Sequence, residues 1–141
     1  MAARVRVTLH WIQILDTMEP FYKARGEFRF TTRVTSDVGA RVQETRFPAE
    51  GHYEISDQPG WNKLNLDRVT FEDEVASRLM VELLGEELDD LSGNDHLDRY
   101  ERVFEGMPAS WVGVYGPGDK AQPTVPEVMR NWRVSYSIEL V

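Results

Sequence analysis

The sequence predicts an all-β, antiparallel β-sandwich of about eight strands, with one short helical insert, in a single domain over residues 1–141. Three observations carry this expectation. Apolar and polar residues alternate with period two from one end of the chain to the other. Gly, Pro, Asn, Asp and Ser clusters punctuate the alternation at short intervals. The chain has 141 residues, 41% hydrophobic and 28% charged, which suits one domain with a real core.

The elements follow in order. Val5, Val7, Leu9 and Trp11 alternate with Arg6, Thr8 and His10. Ile12 and Ile14 then continue on the other parity, as a bulge after Trp11 would require. A loop with Pro20 runs from Asp16 to Gly26. Phe28, Phe30, Thr32 and Val34 form the inward face of a second strand. Ser36-Asp37-Val38-Gly39 is a turn, and Arg41–Phe47 a polar strand suited to a sheet edge. Tyr53 and Ile55 mark a short strand before the turn cluster Ser56–Gly60. Lys63–Phe71 is a strand that slips phase near Arg68, with Leu64 and Leu66 on one parity and Val69 and Phe71 on the other. Glu72-Asp73-Glu74 is a charged connection. Leu79, Val81 and Leu83 share one face of the next strand. Leu97, Tyr100, Val103 and Phe104 have helical spacing, which predicts a short helix stopped by Gly106 and Pro108. Ser110–Tyr115 is short and apolar, 116–123 is a loop, and 126–130 suits one helical turn. Trp132, Val134, Tyr136, Ile138 and Leu140 alternate strictly in the last strand.

Composition removes several functions. The absence of Cys excludes disulfides, thiol nucleophiles and Cys-ligated metals. The net charge of −8 disfavours binding to nucleic acid. No apolar run approaches a membrane span, and the first residues lack a signal-peptide pattern, so a cytoplasmic location is expected. His10, His52 and His96 lack zinc-ligand spacing. No nucleophile elbow, P-loop or dinucleotide fingerprint occurs, and a chain this small is poorly suited to the long cleft of a glycosidase, so the protein is expected not to be an enzyme.

Carboxylates concentrate in two loops. One holds Asp16, Glu19 and Glu27. The other, GEELDDLSGNDHLD, holds Glu87, Asp89 and Asp95 around the turn Ser92-Gly93-Asn94. Calcium takes six to eight oxygen ligands, and carboxylates on flexible loops supply them. On an extended segment residues i and i+2 point the same way, which aligns Glu87 with Asp89. The spacing does not fit an EF-hand.

These segments resemble the C2 domains. Glu87-Leu88-Asp89, five residues, then Asp95-His96-Leu97 resembles that family's third calcium loop. Gln58-Pro59-Gly60-Trp61-Asn62 with Val69-Thr70-Phe71 resembles its Asn-Pro-x-Trp-Asn turn and following strand. Arg25–Phe30 resembles the segment after its first calcium loop, with Glu27 in the acidic position and Asp16 near the leading Asp. Glu27 and Glu87 stand where the family has Asp, Asp98 replaces a Gly, and residues 99–129 are longer than the family pattern. The resemblance implies a C2-like sandwich, a calcium site drawn from Asp16, Glu19, Glu27, Glu87, Asp89 and Asp95, and non-catalytic binding to a membrane or a protein partner. A metal-independent structural or self-assembling subunit, such as a homo-oligomer, is the alternative. Met18, Phe21 and Tyr22 are read as a cover over the end of the core rather than a membrane-inserting tip.

Overall fold

The computed structural model describes residues 2–15, 25–56, 62–88, 95–97, 99–116 and 132–141, without the side chains of Arg25 and Asp95. Among these, the alternating segments become β1 (Ala3–Ile14), β2 (Arg25–Ser36), β3 (Val42–Phe47), β4 (Tyr53–Ser56), β5 (Lys63–Val75), β6 (Arg78–Glu87), β7 (Asp95–His96), β8 (Tyr100–Glu105), β9 (Gly113–Tyr115) and β10 (Trp132–Leu140). The first sheet has the order β5-β1-β10-β9, and every pairing in it is antiparallel. In the second, β2 and β6 are central. β3 and β4 both pair with β2, and β7 and β8 both pair with β6. The described strands therefore lie on eight tracks, four per sheet, as the sequence leads one to expect. Two of those tracks are broken, which yields ten strands.

The inward faces of both sheets make one core. Val5, Val7, Leu9, Ile12 and Ile14 of β1 pack with Phe71, Val134, Tyr136 and Ile138 on one side and Phe28, Phe30, Val34, Leu79 and Val81 on the other. Trp132 of β10 stacks on Phe30 of β2 at a centroid distance of 5.6 Å, joining the sheets through aromatic rings. The buried Tyr100 and Tyr136 hydroxyls satisfy each other at 2.7 Å. Burial, reinforced by the charge and the hydrogen bond of the Tyr100 phenol, pushes the Tyr136 phenol well above its usual range.

Four local expectations are corrected. The bulge in β1 is at His10, because register shifts between Leu9 and Trp11 against both neighbours. Trp11 consequently leaves the core face, and its ring is covered by the Lys63 ammonium at 4.6 Å. Val69 is exposed, and a further register shift beside Thr70 restores Phe71 to the core. Glu72-Asp73-Glu74 is strand, not connection, since Arg partners neutralise it: Arg4 and Arg6 hold Glu72, and Arg41 holds Asp73. The expected helix over Leu97–Phe104 is largely β8, with a 3-10 turn later at Pro108–Trp111. Period two was hidden there because a charged residue, Arg102, occupies an inward slot between Tyr100 and Phe104. Its guanidinium lies 4.8 Å from both the Phe104 and Tyr115 ring centroids, which makes the slot tolerable for a cation.

The end carrying the β2–β3 and β5–β6 turns is tied by Asp37. It accepts from the Ala76 amide at 3.0 Å, the Ser77 amide at 2.9 Å and the Ser77 hydroxyl at 3.0 Å. Burial raises its carboxyl, but these donors outweigh burial and hold it below the usual carboxylate range. Arg6 and Arg4 lower Glu72, and the Glu74 amide and then Arg41 lower Asp73. A depressed carboxylate stabilises the fold while ionised, so this contribution is complete at neutral pH and is lost as pH falls below the ordinary carboxylate range. The urea midpoint is therefore expected to drop between about pH 6 and about pH 3, and Asp37→Asn to remove part of that drop.

Candidate functional site at the loop-bearing end

The register of the two sheets gathers particular strand ends. Ile14 at the end of β1 pairs with Trp132 at the start of β10, and Gln13 with Lys63 at the start of β5. Arg25 at the start of β2 pairs with Ser56 at the end of β4. Glu87 at the end of β6 pairs with both Phe28 and Asp95. The strand ends that flank 16–24, 57–61 and 89–94 are therefore gathered by these registers at one end of the sandwich. Asn62 fixes this end: its backbone oxygen accepts from the Ile14 amide at 2.8 Å, and its buried side chain donates back to the Ile14 oxygen at 2.8 Å. The Leu88 amide donates to the Glu27 oxygen at 2.7 Å, and the Leu97 amide to the Gly85 oxygen at 2.9 Å.

Of the six residues expected to hold calcium, Asp16, Glu19 and Asp89 lie outside the described residues. Glu27, Glu87 and Asp95 are brought to adjacent positions on β2, β6 and β7. Their chains are adjacent, but Glu27 and Glu87 face opposite ways. Glu87 falls on the inward parity of β6 with Val81, Leu83 and Gly85, and is 1% exposed. Its Cγ comes close to Gly26, where an added Cβ would lie 3.4 Å from it. A carboxylate this deep needs strong donors, a proton or a cation as compensation.

Glu27 points outward into a second group. It pairs across strands with Glu54, and His52 Nε2 lies 3.9 Å from its Oε2. Glu27, His52 and Glu54 each offer a ligand atom, all within 4.8 Å of one another, and this group could hold a metal ion. His52 and Glu54 were not among the residues expected from sequence. The available signal was their i, i+2 spacing leading into β4, which sets both on one face; their position opposite Glu27 depends on a register that sequence does not display. His96, beside Asp95, is exposed and lines a shallow surface pocket with Arg29, Thr31, Leu84, Gly85 and Glu86. Arg29 and Glu86, both lining this pocket, form an ion pair with each other.

Among the described residues no helix is long and apolar enough to cross a membrane. No protein-family model matches the chain, and no curated protein matches it. Among solved structures, human GIVD cytosolic phospholipase A2, in complex with methyl gamma-linolenyl fluorophosphonate inhibitor and terbium chloride, is similar with a TM-score of 0.52 and 8% identity. The match covers 99% of this chain and 17% of that one, so the chain spans a small fraction of the phospholipase's length. At this identity the likeness is one of fold: an antiparallel β-sandwich.

Proposed function

We propose that this chain is a C2-like binding module that takes up calcium at its loop-bearing end and then engages an anionic membrane or a protein surface. The observation that carries the reading is convergence: the strands flanking both acidic loops end together, with the buried Glu87 carboxylate at their meeting point. Glu87 and Asp95, with Asp16, Glu19 and Asp89 from the adjoining segments, supply the hard oxygen donors that calcium requires. Glu27 belongs with His52 and Glu54 on the outer face, where mixed oxygen and nitrogen donors suit a first-row divalent ion better than calcium. Calcium would neutralise the loops and order them, and would reverse the local charge that otherwise repels an anionic surface. The role is one of binding rather than turnover.

A metal-independent assembly role is the second reading, favoured by exposed Met107, Val112 and Val114 beside the edge strand β9. Co-sedimentation with phosphatidylserine-containing vesicles separates the two. The first reading expects pelleting in calcium that EDTA reverses. A stable oligomer by light scattering, unchanged by EDTA and without vesicle binding, would support the second and overturn the first.

A further inference from the structure

On the outer face of the first sheet, away from the acidic loops, three polar residues from three strands are joined in series. Ser137 Oγ of β10 lies 2.9 Å from His10 Nε2 of β1, and His10 Nδ1 lies 2.9 Å from Asp67 Oδ1 of β5. A carboxylate oxygen accepts, so Nδ1 carries the proton in this arrangement. Nε2 of the neutral ring is then the acceptor, and the Ser137 hydroxyl donates to it. This is the connectivity by which a histidine acts as general base toward a serine, and it is recognised by geometry rather than by position in the chain.

Two backbone irregularities produce the arrangement. His10 is the extra residue of the β1 bulge: Leu9 and Trp11 face the consecutive residues Tyr136 and Ser135 of β10. Opposite, Leu9 and Trp11 face Arg68 and Asn65, so β5 carries an additional residue beside His10. Asp67 lies in that stretch with φ 45°, in the left-handed region that side chains rarely adopt. Bulges re-aim side chains, and strained residues concentrate where a particular side-chain direction is used. Here both irregularities meet at one hydrogen-bonded series, and Asp67 is 74% exposed, so the carboxylate is aimed at His10 without being forced there by burial.

We infer that Ser137 is an activated nucleophile that accepts an acyl group from an activated ester. In the step, Ser137 Oγ bonds to the carbonyl carbon while its proton passes to His10 Nε2. The bond from that carbon to the leaving oxygen breaks, and the leaving oxygen takes the proton from His10. The products are an ester on Ser137 and the free alcohol or phenol, with no oxidant or other co-reactant. The inference concerns acyl transfer to the serine and is independent of the calcium reading.

The test is p-nitrophenyl acetate with the full chain, following p-nitrophenol release and locating the acetyl group by peptide mass spectrometry. Acetylation is expected at Ser137, ahead of the exposed Ser110, and His10→Ala is expected to slow it by about 100-fold, the range of general-base assistance. Asp67→Gly separates function from folding. Glycine relieves the positive φ, so the melting temperature should hold or rise, while acetylation of Ser137 slows by about tenfold as the imidazole loses its orienting partner. Ser137 labelled no faster than Ser110, or labelled equally fast in a folded Asp67→Gly or His10→Ala protein, would overturn the inference.

Discussion

Replacing Trp132 with alanine is expected to lower the unfolding free energy by about 3–5 kcal/mol, the range for deleting a buried Trp or Phe ring. Trp132 is 1% exposed and lies against Phe30 with the rings 14° from parallel. Phe30 in turn stacks on Phe28 at 6.1 Å. The substitution therefore empties the point where the two sheets touch, at the end where Trp132 pairs with Ile14. Because the strands flanking the acidic segments end there, the proposed calcium site should feel the loss: its calcium affinity should fall even under conditions where most molecules remain folded. Urea unfolding with matched calcium titrations measures both effects. A loss below about 1 kcal/mol would mean that Trp132 is not packed as described.

Gly116→Ala is expected to cost about 3 kcal/mol, corresponding to a fall in melting temperature on the order of 10 °C for a domain of this size. A Cβ on Gly116 would lie 2.1 Å from the Val134 carbonyl oxygen and 3.4 Å from the Ser135 Cα. These are backbone atoms of β10, which is held between β1 and β9, so no side chain can rotate away to make room. β9 must instead separate from β10. Gly51→Ala is the matched control: a Cβ there meets nothing within 4 Å, and the cost is confined to its φ of +78°. Differential scanning calorimetry should place the two variants well apart.

The sandwich was legible because alternation is a direct imprint of the pleat. Phe28 to Val34 and Leu79 to Leu83 show it without interruption, and both lie as expected. Where alternation failed, a particular interaction had replaced apolar packing. Arg102 entered the core face of β8 because two aromatic rings receive its charge, and the resulting pattern imitated a helix. Glu72 and Asp73 resembled a loop until Arg4, Arg6 and Arg41 from other strands were brought beside them. The bulge in β1 was legible as a break in phase, but its position was not: a one-residue slip at His10 or after Trp11 leaves nearly the same sequence pattern.

The candidate site was legible only in part, for a related reason. Acidic spacing singled out Glu27, Glu87 and Asp95, and strand pairing does place them side by side. Which face each side chain takes depends on parity relative to the core. Glu87 shares parity with Leu83 and Glu27 does not, so the two carboxylates separate into an inner and an outer group. Ser137, His10 and Asp67 are 57 or more positions apart in every pairing that involves His10, and only the combined registers of β1, β5 and β10 reveal their series.

The proposed function stands or falls with calcium binding by the inner group around Glu87. Isothermal titration of calcium into chelator-stripped protein tests it most directly, with Glu87→Gln and His52→Ala titrated alongside. Saturable heat is expected, with a dissociation constant on the order of 10⁻⁶ to 10⁻³ M. Calcium at a hundred times that constant should stabilise the fold by about 2.7 kcal/mol. Glu87→Gln should weaken binding at least about tenfold, since carboxylate charge sets affinity in such sites, whereas His52→Ala should leave calcium binding unchanged. No heat and no rise in melting temperature at millimolar calcium, or binding lost with His52 and kept without the Glu87 carboxylate, would contradict it.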